Sequence, residues 1–248
     1  VTLSPPADQY FISGTFNFRD LGGLRTIDGA KVRPGVLLRS AQLTGLDEVG
    51  LATLRDLRVS DVHDLRGERE IDHIGHDRVP EDVRVTVTPF DSRMAEAPPH
   101  HATPDSAFRH MLEVYRMFPA LPEAHAAITA IAESIVRGDG AVLVHCAAGK
   151  DRTGWAVATL LRAVGVTEAD VQADYRLSNG AIPALRAMMT TKLLAGEELS
   201  VDLLGVRDEY LNIATNSMHE LHGDVDTYLT TAGITPELRT RLRDRMLE

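Results

Sequence analysis

"AVLVHCAAGKDRTGWAVATLLRAVG", residues 141–165, changes character twice along its length. "AVLVHC" (141–146) is a short apolar run entered from Gly140, the pattern of a strand buried on both faces of a parallel sheet. A loop of small and charged residues follows, from Ala147 to Arg152. Trp155, Val157, Leu160, Leu161 and Val164 then recur at helical spacing until Gly165 stops them. Strand, loop and helix in that order are the repeating unit of an open α/β sheet, whose ligands sit beyond the carboxyl ends of the strands.

The loop carries the chemistry. Cys146 is the only cysteine of the 248 residues. A loop entering a helix N-terminus aims backbone N–H groups at one point, and the helix dipole favours an anion there. Ala147, Ala148 and Gly149 are small enough for the backbone to curl closely around a ligand. Arg152 adds a fork matched to two phosphate oxygens, and Lys150 adds a point charge. The sum is a cradle for a tetrahedral dianion with a thiol at its base. The same field lowers a thiol pKa, which makes Cys146 a nucleophile aimed at phosphorus. Phosphoryl transfer to sulfur followed by hydrolysis is the expected reaction. Thr153 is placed to stabilise the sulfur as a leaving group, and His145 to order the loop through the backbone. The plainer alternative is a structural cysteine in an apolar core.

Outward from the loop, the first sixty residues are rich in turns. Gly22-Gly23, Asp28-Gly29 and Pro34-Gly35 separate short apolar pieces that end in a strand at "GVLLRS". Thr44 and Asp47 have capping-box spacing ahead of a helix carrying Leu46, Val49, Leu54 and Leu57. "VSDVHDL" (59–65) reads as a strand, and "VRVTVTPF" (83–90) as a half-buried one by its alternation. Residues 91–105 lack periodicity and read as a long loop. A helix over 105–118 follows, then one marked by Leu121, Ala124, Ile128, Ile131 and Ile135 and closed by Gly138. From Thr167 onward the chain reads as all helix, with Thr167/Asp170 spaced as a second capping box, and Thr235 as N-cap before Pro236. With no linker or repeat, one α/β domain over 1–248 with a helical C-terminal third is expected.

Composition narrows the partners. Hydrophobic content of 44% and charged content of 25% are those of an ordinary globular chain. A net charge of −10 argues against nucleic acid and anionic membranes, which need a basic face. No apolar run approaches a membrane span, so no stable membrane insertion is expected. "VTLSPPADQY" lacks the charged and apolar regions of a signal peptide. A cytoplasmic setting is therefore expected, with secretion by another route left open, and the absence of an initial Met suggests a trimmed start. A lone cysteine excludes an intrachain disulfide and a cysteine-based zinc cage. His73, His76, His100, His101 and His110 lack zincin spacing and read as surface histidines, so no metal and no cofactor are expected. Nothing in the sequence sets the oligomeric state.

"HCAAGKDRTG" (145–154) resembles the signature of the cysteine-dependent protein tyrosine phosphatases, His-Cys-x5-Arg-(Ser/Thr)-Gly. Its Gly-Lys-Asp-Arg variant is similar to a bacterial branch of that superfamily, as are "NFRDLGG" (17–23), "LLRSAQL" (37–43), "DLRGERE" (64–70) and "DYRLSN" (174–179). The resemblance spans roughly residues 15–245. It implies a mostly parallel central sheet flanked by helices, and metal-free hydrolysis of phosphate monoesters. Phosphotyrosine, phosphoserine, phosphothreonine and phosphoinositides are the substrates it suggests.

One element of that pattern is missing. Ordinary tyrosine phosphatases carry the general acid on a Trp-Pro-Asp loop, and the single tryptophan here is Trp155. Asp151 is the first candidate for the acid, and Asp91 the second. Asp64 is the third, more naturally a residue that orients Arg152 or the loop. Arg19, Asp20 and Arg39 are charges within apolar strand pieces; they read as pairing with each other structurally, the alternative being that Arg19 and Asp20 line the mouth of the site. Met188, Met189, Leu193 and Leu194 have helical spacing and suit either a core or a helical lid at about 180–205. Two rival functions are a phosphatase of small metabolites such as nucleotide or sugar phosphates, and a non-catalytic module that recognises phosphorylated partners. An arsenate-reductase-like redox role would need resolving cysteines that the chain lacks.

Overall fold

The computed structural model describes residues 12–90, 104–190 and 200–248. Among the described residues five strands form one sheet: β1 (Arg19–Asp20), β2 (Leu37–Ser40), β3 (Val59–Asp64), β4 (Arg84–Val87) and β5 (Ala141–His145). Their spatial order is β1-β2-β5-β3-β4. Only the β1–β2 pair is antiparallel; β2, β5, β3 and β4 run parallel. β5 is thus central, and its end delivers Cys146 to the carboxyl edge of the sheet. Its side chains alternate between two cores, as period-2 geometry requires. Val142 and Val144 face one core, while Ala141 and Leu143 face the other.

The helices cover both faces. On one side lies α1 (Glu48–Asp56), with Leu51 and Leu54 buried against Leu38, Val62 and Leu143. On the other lie α4 (Pro122–Arg137) and α5 (Arg152–Ala163), whose apolar stripes pack on Val142 and Val144. The stripe read from Leu121 to Ile135 is the buried face of α4, and Gly138 ends that helix in the left-handed region at φ +80°. The remaining helices are α2 (Glu68–Ile74), α3 (Pro104–Met117), α6 (Glu168–Leu177), α7 (Ile182–Thr190), α8 (Val201–Leu204), α9 (Asp208–His222), α10 (Val225–Thr231) and α11 (Pro236–Met246). The helical C-terminal third is therefore present. Thr167 and Thr235 cap α6 and α11 by accepting from Asp170 N–H and Leu238 N–H. Trp155 in α5 is fully buried, with its indole N–H on the Tyr228 hydroxyl of α10 at 3.1 Å. No helix among the described residues is long and apolar enough to cross a membrane.

Three local expectations are corrected. Asp47, not Thr44, caps α1, by accepting from Gly50 N–H. Thr44 instead takes part in hydrogen bonds with Arg66 and Gly75. Val49 is 66% exposed on α1, so it lies outside the apolar stripe. All four residues of β4 are exposed. An alternating pattern there marks an edge strand rather than a half-buried one, and of the predicted stretch 83–90 it is Val83 before β4 and Phe90 after it that join the cores. Residues 91–103, which hold most of the predicted loop with His100 and His101, lie outside the described residues, as do Leu193 and Leu194.

Candidate active site

The loop from Cys146 to Asp151 links β5 to α5 at the centre of the carboxyl edge. Its backbone carbonyls are tied outward one after another. His145 Nδ1 donates to the Cys146 carbonyl at 3.1 Å, and Gln42 N–H to that of Ala147 at 3.2 Å. Asn17 Nδ2 donates to the carbonyls of Ala148 and Gly149 at 3.0 and 2.9 Å. Arg39 reaches the Gly149 carbonyl at 2.8 Å. In a planar trans peptide the C=O and the next N–H point in opposite directions. Carbonyls held outward from 146 to 149 therefore turn the N–H groups of residues 147–150 inward, the geometry of an anion cradle.

Those supports are themselves anchored. Asp174 of α6 accepts from Arg19 Nε and Arg39 Nη1, both at 2.6 Å. Arg19 in turn donates to Asn17 Oδ1 at 2.7 Å. All three charged groups are buried. Burial resists ionisation of Asp174, yet the two guanidiniums outweigh it and hold its carboxyl below the usual range. Arg19 and Arg39 thus share a carboxylate from a distant helix rather than pairing with Asp20. Asp20 instead accepts from the N–H groups of Gly22 and Gly35 at 2.8 and 2.7 Å.

A second cluster lies beneath His145. Arg66 bridges Asp64 and Asp77 at 2.7 and 2.9 Å, and Asp77 accepts from His145 Nε2 at 2.6 Å. Both ring nitrogens of His145 face acceptors, which suits the imidazolium. Burial lowers its pKa, but the hydrogen bond to and charge of Asp77, with Asp64, raise it overall. Asp64, Asp77 and His145 offer ligand atoms within 4.8 Å of one another. The Arg66 guanidinium already compensates both carboxylates, so a cation would have to displace it.

Cys146 is 3% exposed. Its burial opposes ionisation, and the charge of Asp151 adds to that. The Arg152 charge and the hydroxyl and N–H of Thr153 outweigh both, leaving the thiol pKa below its ordinary value. The Thr153 hydroxyl is buried and committed to no hydrogen bond elsewhere or, in this geometry, to the sulfur, so it is free to turn toward the thiolate. Arg152 is held from behind by Glu70, in a fork of 2.6 and 2.7 Å. Asp151 is buried; its Oδ1 accepts from Tyr115 at 2.8 Å and from Lys150 Nζ at 2.9 Å. Lys150 also donates to the Gly205 carbonyl after α8 at 3.3 Å. Leu185, Met188 and Met189 of α7 and Leu204 of α8 form one apolar cluster with Phe16 and Ala148 of the loop.

A tyrosine phosphatase family model matches residues 10–248. The chain belongs to the tyrosine phosphatase family. It is 36% identical to the triple specificity protein phosphatase PtpB of Mycobacterium tuberculosis, over 95% of this chain and 98% of that protein. It is 33% identical to a candidate tyrosine-protein phosphatase of Cupriavidus necator, over 87% of this chain and 81% of the relative. The crystal structure of P. aeruginosa TpbA overlaps it with a TM-score of 0.39 at 16% identity, over 82% of this chain and 90% of that one.

Within this phosphatase the structure brings Cys146, Ala147, Ala148, Gly149, Lys150, Asp151, Arg152 and Thr153 into one loop and helix start, with His145 beneath. Asp64 does not touch the Arg152 side chain. It binds Arg66 and stands 3.8 Å from His145 Nδ1, so its link is to the base of the loop, and Glu70 holds Arg152 instead. Asp91 lies outside the described residues. His73 and His76 are exposed, His73 on α2 and His76 just beyond it. Sequence reasoning missed Glu70, Asn17, Asp77, Tyr115 and Tyr175. Glu70 and Asn17 stand inside "DLRGERE" and "NFRDLGG", and Tyr175 in "DYRLSN", so the stretches were visible while the partners of those residues were not.

Proposed function

We propose that this phosphatase hydrolyses phosphate monoesters on protein tyrosine, serine or threonine, or on phosphoinositides, through a cysteinyl-phosphate intermediate. The observation that carries the proposal is a buried thiol whose pKa is lowered by Arg152 and Thr153 at the base of an anion cradle. The Cys146 thiolate attacks phosphorus while Arg152 and the inward N–H groups bind the three non-bridging oxygens. The P–O bond to the leaving group breaks as the S–P bond forms, and Asp151 gives the leaving oxygen its proton. Water then attacks phosphorus, the sulfur leaves as thiolate stabilised by Thr153, and the water proton passes to Asp151. The name of the M. tuberculosis relative, a triple specificity protein phosphatase, supports a broad substrate range. In this reading residues 1–248 act as one phosphatase domain.

A second substrate class is favoured by one observation. α7 and α8 pack on Ala148, and Lys150 ties the Gly205 carbonyl to the loop. A cover made by α7 and α8 limits access for a folded phosphoprotein and favours small phosphorylated metabolites. Turnover of a folded phosphoprotein, a phosphoinositide and a nucleotide monophosphate separates the two.

Cys146→Ser tests the nucleophile. Turnover of an aryl phosphate is expected to vanish while binding of inorganic phosphate survives. Wild-type turnover in that variant defeats the mechanism. Loss of both turnover and phosphate binding places the defect in the loop rather than in the nucleophile.

A further inference from the structure

We propose that Tyr115, backed by Tyr175, is the positioning residue for Asp151, occupying one carboxylate oxygen so that the other faces the leaving group. The proposal rests on the reading of Asp151 as general acid. Tyr175 donates its hydroxyl proton to Tyr115 at 2.6 Å, and Tyr115 donates its own to Asp151 Oδ1 at 2.8 Å. The direction of the chain is forced. A phenol has one proton, and Oδ1 accepts both in the ionised carboxylate and when the acid proton sits on Oδ2, so Tyr115 spends its proton on Asp151 and offers its lone pairs to Tyr175.

The relay joins three elements that are far apart in sequence: α3, α6 and the phosphate loop. The Tyr115 ring is fully buried and held by Phe118, Tyr210 and Tyr175 at centroid distances of 4.8, 5.5 and 6.3 Å. Its hydroxyl therefore has little freedom to leave the carboxylate. Lys150 Nζ touches both oxygens, at 2.9 Å from Oδ1 and 2.7 Å from Oδ2. Oδ1 thus meets two donors and Oδ2 one, which makes Oδ2 the oxygen able to carry a proton to the substrate.

The groups around Asp151 are Cys146, Lys150 and Arg152 on the loop and at the start of α5, Tyr115 from α3, Tyr175 from α6 and Tyr210 from α9. Burial first, then the charge of Asp151, keeps the Tyr115 and Tyr175 phenols protonated well above their usual range. The relay donors consequently keep their protons, and stay able to donate, where the enzyme works.

The test measures kcat and KM across pH for aryl phosphates of graded leaving-group quality, in Tyr115→Phe, Tyr175→Phe, Asp151→Asn and Tyr115→Phe/Asp151→Asn. Phe keeps the ring and removes only the proton. Tyr115→Phe is expected to lower kcat about tenfold for poor leaving groups, with KM and good leaving groups unaffected. Tyr175→Phe should do the same more weakly, and Tyr115→Phe should add nothing in the Asp151→Asn background. Equal losses for all leaving groups, or a full effect in that background, overturns the relay. Asp151→Asn with wild-type leaving-group dependence removes the acid itself, a different result from an impaired Asp151→Asn beside an unaffected Tyr115→Phe. Should Tyr115→Phe fail to melt cooperatively, Tyr175→Phe decides, since it leaves the Tyr115–Asp151 bond in place: a weaker loss of kcat confined to poor leaving groups supports the relay, and none refutes it.

Discussion

A guanidinium that grips phosphate has to be aimed, and at the scale of single residues Glu70 does the aiming. Burial raises the Glu70 pKa, but the hydrogen bond to and charge of Arg152 lower it overall, so the carboxylate stays ionised behind the fork. Arg152→Lys keeps the charge and loses the fork, and kcat/KM for an aryl phosphate should fall about 100-fold or more. Glu70→Gln leaves Arg152 charged but less firmly aimed, so a smaller fall of about tenfold is expected, judged against the loss of one positioning contact. The sulfur sets the pH response. The Cys146 pKa lies below its ordinary value, so the rising limb of kcat/KM should lie below it too. Thr153→Val removes a donor to the thiolate and should move that limb to higher pH; an unmoved limb would show that the hydroxyl does not touch the sulfur. Cys146, Lys150 and Arg152 were legible in the sequence because they are neighbours in the chain. Glu70 was not, because its partner lies 82 positions away and a helix-start glutamate has an ordinary reading: Glu70 also accepts from Gly67 N–H at 3.0 Å.

Among the elements, the loop depends on Gly149. Its φ is +66°, and a Cβ there would stand 2.0 Å from the Ser40 carbonyl of β2. Gly149→Ala is thus strained twice, by about 1–2 kcal/mol for the left-handed backbone and further by the clash. Because the strain falls on the phosphate loop, activity should suffer more than melting temperature. Activity kept within twofold of wild type would show that the cradle tolerates a shift. Strand, loop and helix were legible here because local composition specifies them: an apolar run, small residues, then 3-and-4 spacing. β4 was not, since alternation alone does not say whether a strand has neighbours on both edges. Its position at the end of the order β1-β2-β5-β3-β4 leaves Val85 and Val87 41% and 44% exposed.

For the whole molecule, Asp174 is the residue from which the site is supported. Removing its charge leaves Arg19 and Arg39 buried and uncompensated, a loss of about 3–5 kcal/mol in such settings. Asp174→Asn should therefore lower the melting temperature by roughly 10 °C and loosen the Asn17 and Arg39 contacts to the loop. The sign of the pH dependence follows. The folded-state pKa of Asp174 is depressed from 3.8, so its contribution is present above that value and lost as pH falls through the lower one. His145 works the other way: its pKa is raised from 6.5, so its contribution is complete below 6.5 and lost as pH rises through the higher value. Acid titration of stability should be shallower in Asp174→Asn, and an unchanged acid limb would remove Asp174 from that role. The stretches "NFRDLGG", "LLRSAQL" and "DYRLSN" stood out in the sequence, yet their common task of holding loop carbonyls outward emerges only when α6 folds back beside β1 and β2.

The burial of Trp155 has an optical consequence. It is the only tryptophan in the chain, lies three positions along α5 from Arg152, and has the Arg162 guanidinium 5.8 Å from its ring centroid. The ultraviolet emission of the native protein excited at the red edge is therefore the emission of one indole, shielded from water and bonded to a phenol. Its spectrum should be blue-shifted in the native state and move to the red only on unfolding. Any change when an oxyanion fills the loop would be a label-free signal from the helix that presents Arg152.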